Sequence, residues 1–181
     1  MKKMLSVLII ISILSGCSLT NMDNTPTKRV EQYLNNYQTL DSNVLAKLDD
    51  IVSKETLYTF TQKEIYKNIL KKHYQDLTYK VKEETINGDR STVEVEIEVY
   101  DYTKTLKQAE AYRLTNEAEF LDSNGEFDET EYNDYKLNLL KSNKDKVRYT
   151  LYLSLTKIDN EWILDSLTET EQEKLLGIYE Y

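Results

Sequence analysis

The run LTYKVKEETINGDRSTVEVEIEVYDY, residues 77 to 102, constrains the fold more than any other stretch. Val93, Val95, Ile97 and Val99 alternate with Glu94, Glu96 and Glu98. A helix would scatter alternate residues around its circumference, whereas a strand puts one set on each face. Asn87-Gly88-Asp89 interrupts the pattern with the turn chemistry of a hairpin. The same signal returns in KVRYTLYLSLTKI, where Val147, Tyr149, Leu151, Leu153 and Leu155 alternate before a turn at Asp159-Asn160 and the segment EWILDSL. The spacing predicts four strands, at 79–86, 91–102, 146–157 and 161–167, in one antiparallel sheet. Val95, Ile97, Leu151 and Leu153 belong to its buried face, and the glutamate row to a solvated one.

A sheet with one apolar face needs a cover, and the N-terminal third supplies it. Thr25-Pro26 reads as a cap followed by proline at the first helical position. Val30, Tyr33, Leu34 and Tyr37 then fall at helical spacing, as do Val44, Leu45, Leu48, Ile51 and Val52 after a break. Thr61 to Glu64 suggests a capping box opening a third helix with Ile65, Tyr66, Ile69, Leu70 and His73 on one side. Between the hairpins a charged helical insertion is expected over about residues 104–145, with stripes at Ala109, Tyr112, Asn116 and Phe120 and at Tyr132, Tyr135 and Leu139. Thr168 to Glu171 caps a last helix that Gly177 ends. The fold class is therefore α+β, with N-terminal helices packed on a four-stranded antiparallel sheet.

The first residues address the chain rather than fold it. Met1-Lys2-Lys3 precedes an apolar run from Met4 to Leu14, too short to span a bilayer. Leu14-Ser15-Gly16-Cys17 resembles the bacterial lipobox, and Cys17 is the single cysteine of the 181 residues. The expected organisation is a signal peptide over 1–16, a lipidated Cys17 and tether over 17–25, and one domain over 26–181. An acylated Cys17 would hold the domain on the extracytoplasmic face of the cell membrane through palmitate-type chains. It also leaves no intrachain disulfide, so stability rests on the core. The formal charge of −9 repels nucleic acid, which is excluded as a partner.

The lipobox, the TPTKRVEQYL start and the TLYLSLTKIDNEWILDSL ending together resemble small lipoproteins of low-GC Gram-positive bacteria that carry a cystatin-like, or nuclear transport factor 2-like, domain. The resemblance implies a curved sheet wrapped on helices, with a conical pocket between them that some members use for isomerase or dehydratase chemistry and others for binding. It implies a shape and no particular activity. The insertion departs from that pattern.

Chemistry-bearing residues are few. An acid or base pointing into such a pocket would be Asp101, which continues the parity of Val93 to Val99, Asp165, which shares a face with Ile163 and Leu167, or His73, the single histidine. There is no G-x-S-x-G and no phosphate-binding glycine pattern. One histidine and no free thiol argue against zinc or copper, and no cofactor is expected. Tyrosine is abundant, at 15 residues, and reads as strand-forming and half-buried. FLDSNGEFDETE, residues 120–131, imitates an EF-hand loop: with Gly125 at position 6, Asp122, Asn124, Glu126, Asp128 and Glu131 occupy positions 3, 5, 7, 9 and 12. Phe120 then fills position 1, where a carboxylate is required. A metal-free account uses the same residues, with a turn at Asn124-Gly125, Asp128 and Glu131 as a capping box, and Phe120 and Phe127 packing the corner. The leading expectation is a non-catalytic domain for an envelope protein or small ligand; an enzyme using a pocket carboxylate and a calcium-stabilised domain are the alternatives.

Overall fold

The computed structural model describes residues 24–180; the leader and Cys17 lie outside the described residues. The elements run α1 (Pro26–Thr39), α2 (Ser42–Ser53), α3 (Phe60–Gln75), β1 (Thr78–Asn87), β2 (Arg90–Tyr100), α4 (Tyr102–Thr115), a 3₁₀ turn (Glu117–Phe120), α5 (Glu129–Ser142), β3 (Lys146–Ile158), β4 (Glu161–Leu164) and α6 (Glu169–Leu176). The strands form one antiparallel sheet in the order β1-β2-β3-β4. Three helices precede the sheet, as the α+β reading expects.

Local chemistry sets the turns. Gly88, at φ +60°, starts the two-residue loop between Asn87 and Arg90, a conformation glycine adopts without a Cβ penalty. Asp159 and Asn160 both have positive φ, as a tight hairpin matching strand twist requires. The Thr25 hydroxyl accepts from Lys28 N at 3.2 Å and Pro26 opens α1. Thr168 and Glu171 form the expected reciprocal box on α6.

Pairing then aligns the inner faces: Val93 lies opposite Leu153, Val95 opposite Leu151 and Ile97 opposite Tyr149. These residues, with Val99 and Leu155, pack against Val30 and Leu34 of α1 and Trp162 of β4. Each fully buried aliphatic side chain contributes ~1.5–3 kcal/mol, more than the ~0.5–2 kcal/mol of a typical cap. Sheet burial, and not capping, therefore fixes the architecture. A second cluster joins α1, α2, α3 and α5 to the β2–α4 junction through Tyr37, Leu48, Leu70, Tyr74, Tyr100, Tyr102 and Leu137.

Several boundaries depart from the sequence reading. The box on α3 is Thr59 with Gln62, not Thr61 with Glu64, because Phe60 already begins the helix. The second strand stops at Tyr100, where the chain turns directly into α4, so the insertion occupies Tyr102–Ser142. The last strand ends at Leu164 and not at residue 167. On α5 the buried positions are Asn133, Leu137 and Leu140, while Tyr132, Tyr135 and Leu139 are half-buried. A bulge between Val81 and Glu83 shifts the β1–β2 register, moving Glu84 and Ile86 onto the parity of Val93 and Ser91.

Candidate functional site

The space between sheet and helices, where the pocket was expected, is filled. Val30, Leu34, Val93, Val95, Ile97, Val99 and Leu155 are fully buried, and Leu151 and Leu153 are 1% exposed. Asp101 does not point into it: its Oδ1 accepts from Lys104 N at 2.9 Å as the N-cap of α4. Strand parity ends one residue earlier, so the alternation that placed Asp101 inward no longer applies. Asp165 is held by the Thr156 hydroxyl at 2.8 Å and by Arg90 at 3.4 Å, both on the solvent-facing side of the sheet. Trp162 is buried and Ile163 is 48% exposed, which sets the parity of β4 opposite to the one that would bury Asp165 among apolar neighbours.

His73 is fully buried. Its Nε2 donates to the Leu175 carbonyl at 2.8 Å, and its ring lies 4.8 Å from that of Tyr102. Burial pushes its pKa down to about 4, so the imidazole is neutral and serves as a packing residue between α3 and α6. The adjacent Gly177, at φ +70°, is indispensable there, since a Cβ would sit 2.1 Å from the Tyr100 carbonyl oxygen. None of the three acid–base candidates hydrogen-bonds another.

The insertion loop spends its oxygens on its own backbone. Asp122 Oδ1 accepts from Asn124 N at 2.8 Å and Glu126 N at 3.0 Å. Those amides, Glu126 first, hold the Asp122 carboxyl below its usual pKa. Asp128 caps α5, accepting from Thr130 N and Glu131 N at 2.9 and 3.1 Å. Leu121 and Phe127 close the loop as an antiparallel bridge. Glu131 does not return a bond to the cap, so the capping box is only half made. Phe120 is buried as expected, but Phe127 is 45% exposed, resting 5.5 Å from the Arg113 guanidinium. Among the described residues no cluster of histidine, cysteine, aspartate or glutamate could hold a metal ion.

Several openings lie outside the sheet–helix core, one of about 570 Å³ beside Asp101, Lys104 and Tyr149, and two are bounded by the helical cluster. One, of about 370 Å³, runs between α2 and α6 and is lined by Tyr37, Lys47, Asp50, Tyr74, Asp165 and Leu176 among others. The other, of about 290 Å³, is a groove between α3 and α5 floored by Ile65, Ile69, Tyr100, Tyr102 and Leu140, with Asn68, Lys72, Lys141 and Asn143 as its polar lining. Asp76 stands beside this groove with its carboxylate taken by Lys72 and by the Tyr100 hydroxyl at 2.6 Å. The Lys72 hydrogen bond depresses the Asp76 pKa. The Lys146 ammonium lies 4.6 Å from the Tyr100 ring centroid. The groove has no counterpart in the sequence reading because its lining comes from α3, the β2–α4 junction and the end of α5, segments with no shared motif.

The chain matches no protein-family model and no curated protein. Among solved structures it is similar to ycdA of Bacillus subtilis subsp. subtilis str. 168, provisionally described as a lipoprotein, at 14% identity and a TM-score of 0.45. The alignment covers 83% of this chain and 47% of that one, so the chain spans about half the length of that protein.

Proposed function

We propose that this chain is a lipid-anchored, extracytoplasmic binding domain with no catalytic centre of its own. Residues 1–16 act as the export leader, Cys17 carries the acyl chains, the tether runs to residue 25 and residues 26–181 form one domain of the cystatin-like type. The anchoring half rests on Leu14-Ser15-Gly16-Cys17 and the solitary cysteine. Among the described residues no helix is long and apolar enough to cross a membrane. The binding half rests on one observation, the packed interior. A general acid or base must reach the bond it works on, and both carboxylate candidates face elsewhere while the space they would serve is aliphatic.

Replacing Cys17 with Ser tests the anchor. The variant is expected in the soluble fraction or as an unprocessed precursor, and without label from a fatty-acid probe that marks the parent protein. Labelling that survives the substitution would refute the assignment.

A further inference from the structure

The α3–α5 groove reverses the charge sign of the protein that surrounds it. Acidic residues outnumber basic ones 32 to 23 over the chain, yet the groove lining holds Lys72 and Lys141 and no carboxylate. Lys146 adds a third ammonium beside the Tyr100 ring. Asp76, the adjacent acid, offsets one of these charges and is occupied by Lys72 and Tyr100. Lys141 makes no ion pair among the described residues. The α2–α6 cleft gives the contrast, since its lining mixes Lys47 with Asp50 and Asp165, whose carboxylates pair with Lys54 and Arg90. Beneath the lysines the groove is apolar and aromatic, and Tyr100 and Tyr102 hold their rings within 15° of parallel at 6.1 Å. Asn143 is fixed at the rim, with Nδ2 donating to the Asp101 carbonyl at 3.1 Å and Oδ1 accepting from Asp145 N at 2.8 Å. An apolar floor with a few convergent polar groups, at the small end of ligand-pocket sizes, is the usual build of a small-molecule site.

We propose that the α3–α5 groove binds a small organic carboxylate with a compact apolar body, the body on Ile65, Ile69 and Leu140 and the carboxylate between Lys72 and Lys141. This inference deepens the binding-domain reading and rests on it. A neutral ligand would leave Lys141, which has no ion-pair partner among the described residues, unanswered, and a cation would be repelled by the lysines.

The experiment titrates the full-length Cys17→Ser protein with three probes of one shape and different charge: 3-phenylpropionate, 3-phenylpropanol and 3-phenylpropylamine. Phenylpropionate is expected to bind saturably, at least tenfold tighter than the alcohol, with no binding of the amine, and to shift the amide resonances of Asn68, Ile69 and Lys141. Lys141→Glu should weaken it at least tenfold, and Asn68→Trp, which fills the groove from an exposed position, should abolish it. Equal affinity for acid and alcohol would overturn the proposal, as would no saturable binding of any probe. Binding indifferent to both substitutions would overturn the groove but leave a binding domain. Conversion of a probe, seen as new proton resonances, would overturn the non-catalytic reading instead.

Discussion

The two hydrophobic clusters of this molecule are built on different chemistry. The sheet-facing cluster is mostly aliphatic, with Val30, Leu34, Val93, Val95, Ile97, Val99, Leu151, Leu153 and Leu155 closed to solvent. The helical cluster contains Tyr37, Tyr74, Tyr100 and Tyr102 among its buried members, and a buried hydroxyl has to find a partner. Tyr37 finds Tyr33 at 2.9 Å and Tyr100 finds Asp76. The first cluster can be sealed because most of it is aliphatic, and its Tyr149 hydroxyl donates to the Tyr179 carbonyl at 3.1 Å. The second has tyrosines at its edge, where the α3–α5 groove and the α2–α6 opening lie. Apolar packing gives this protein its stability, and its polar-tipped aromatics give it an accessible surface.

The largest effect should separate the two clusters directly. Leu153→Ala removes a side chain from the sealed side and is expected to cost about 2–5 kcal/mol, measured by urea unfolding. Leu140→Ala lines the open groove, where neighbours can relax into the space, and should fall at or below the low end of that range. Equal losses would erase the distinction.

His73 tests the seam between the clusters, since it touches Leu175 of one and Tyr102 of the other. Unfolded, it takes a proton below its ordinary pKa of about 6.5; folded, it resists until about pH 4. Its neutral form thus contributes stability that is fully present above pH 6.5 and is drained as pH falls to 4, by about 3 kcal/mol at ~1.4 kcal/mol per pKa unit. His73→Leu should be less stable at neutral pH yet flatter across that window. Parallel pH profiles would show that the imidazole is not sealed.

A smaller change is expected in the insertion. Asp128→Ala should lower stability by about 0.5–2 kcal/mol through loss of the α5 cap, equally with and without calcium. Low-millimolar calcium should leave the melting temperature unchanged. Micromolar binding that vanished in Glu131→Gln would make the loop a metal site and recast the insertion as the functional region.

The clusters also differ in how far the sequence discloses them. Period-two alternation leaves a strand little choice of face, so Val95, Ile97, Leu151 and Leu153 were legible as core, and Asn160 and Gly88 as turns. The helical side was legible in outline alone. Asn133 is buried because its amide donates to the Leu57 carbonyl at 3.2 Å, and Gln62 because its amide donates to the Thr130 carbonyl and to Asp134. Such contacts join residues about seventy positions apart, and neither partner announces the other. Asp101 and Asp165 point away from the sheet–helix core for a related reason: one strand ended at Tyr100, before Asp101, and the other took its parity from Trp162. The groove was invisible, since Asn68, Lys141 and Asn143 are unremarkable residues that only the packing of α3 on α5 brings together.

Asn24 fixes the place where the chain enters the domain. Its Nδ2 donates to the Asn160 carbonyl at 2.8 Å, and its Oδ1 accepts from Trp162 N at 3.2 Å. The chain therefore enters the domain at the β3–β4 turn, beside the β1–β2 turn that Lys157 N joins through the Asp89 carbonyl. From Cys17 to Asn24 the chain can reach at most about 25 Å. With the proposed lipid on Cys17, both hairpin turns would lie at the tethered end of the domain. Tyr100 stands at the other end of the 11-residue β2, about 35 Å further out at ~3.3 Å per residue. A sheet tethered at that end would act as a stanchion, with the α3–α5 groove at its far end from the anchor.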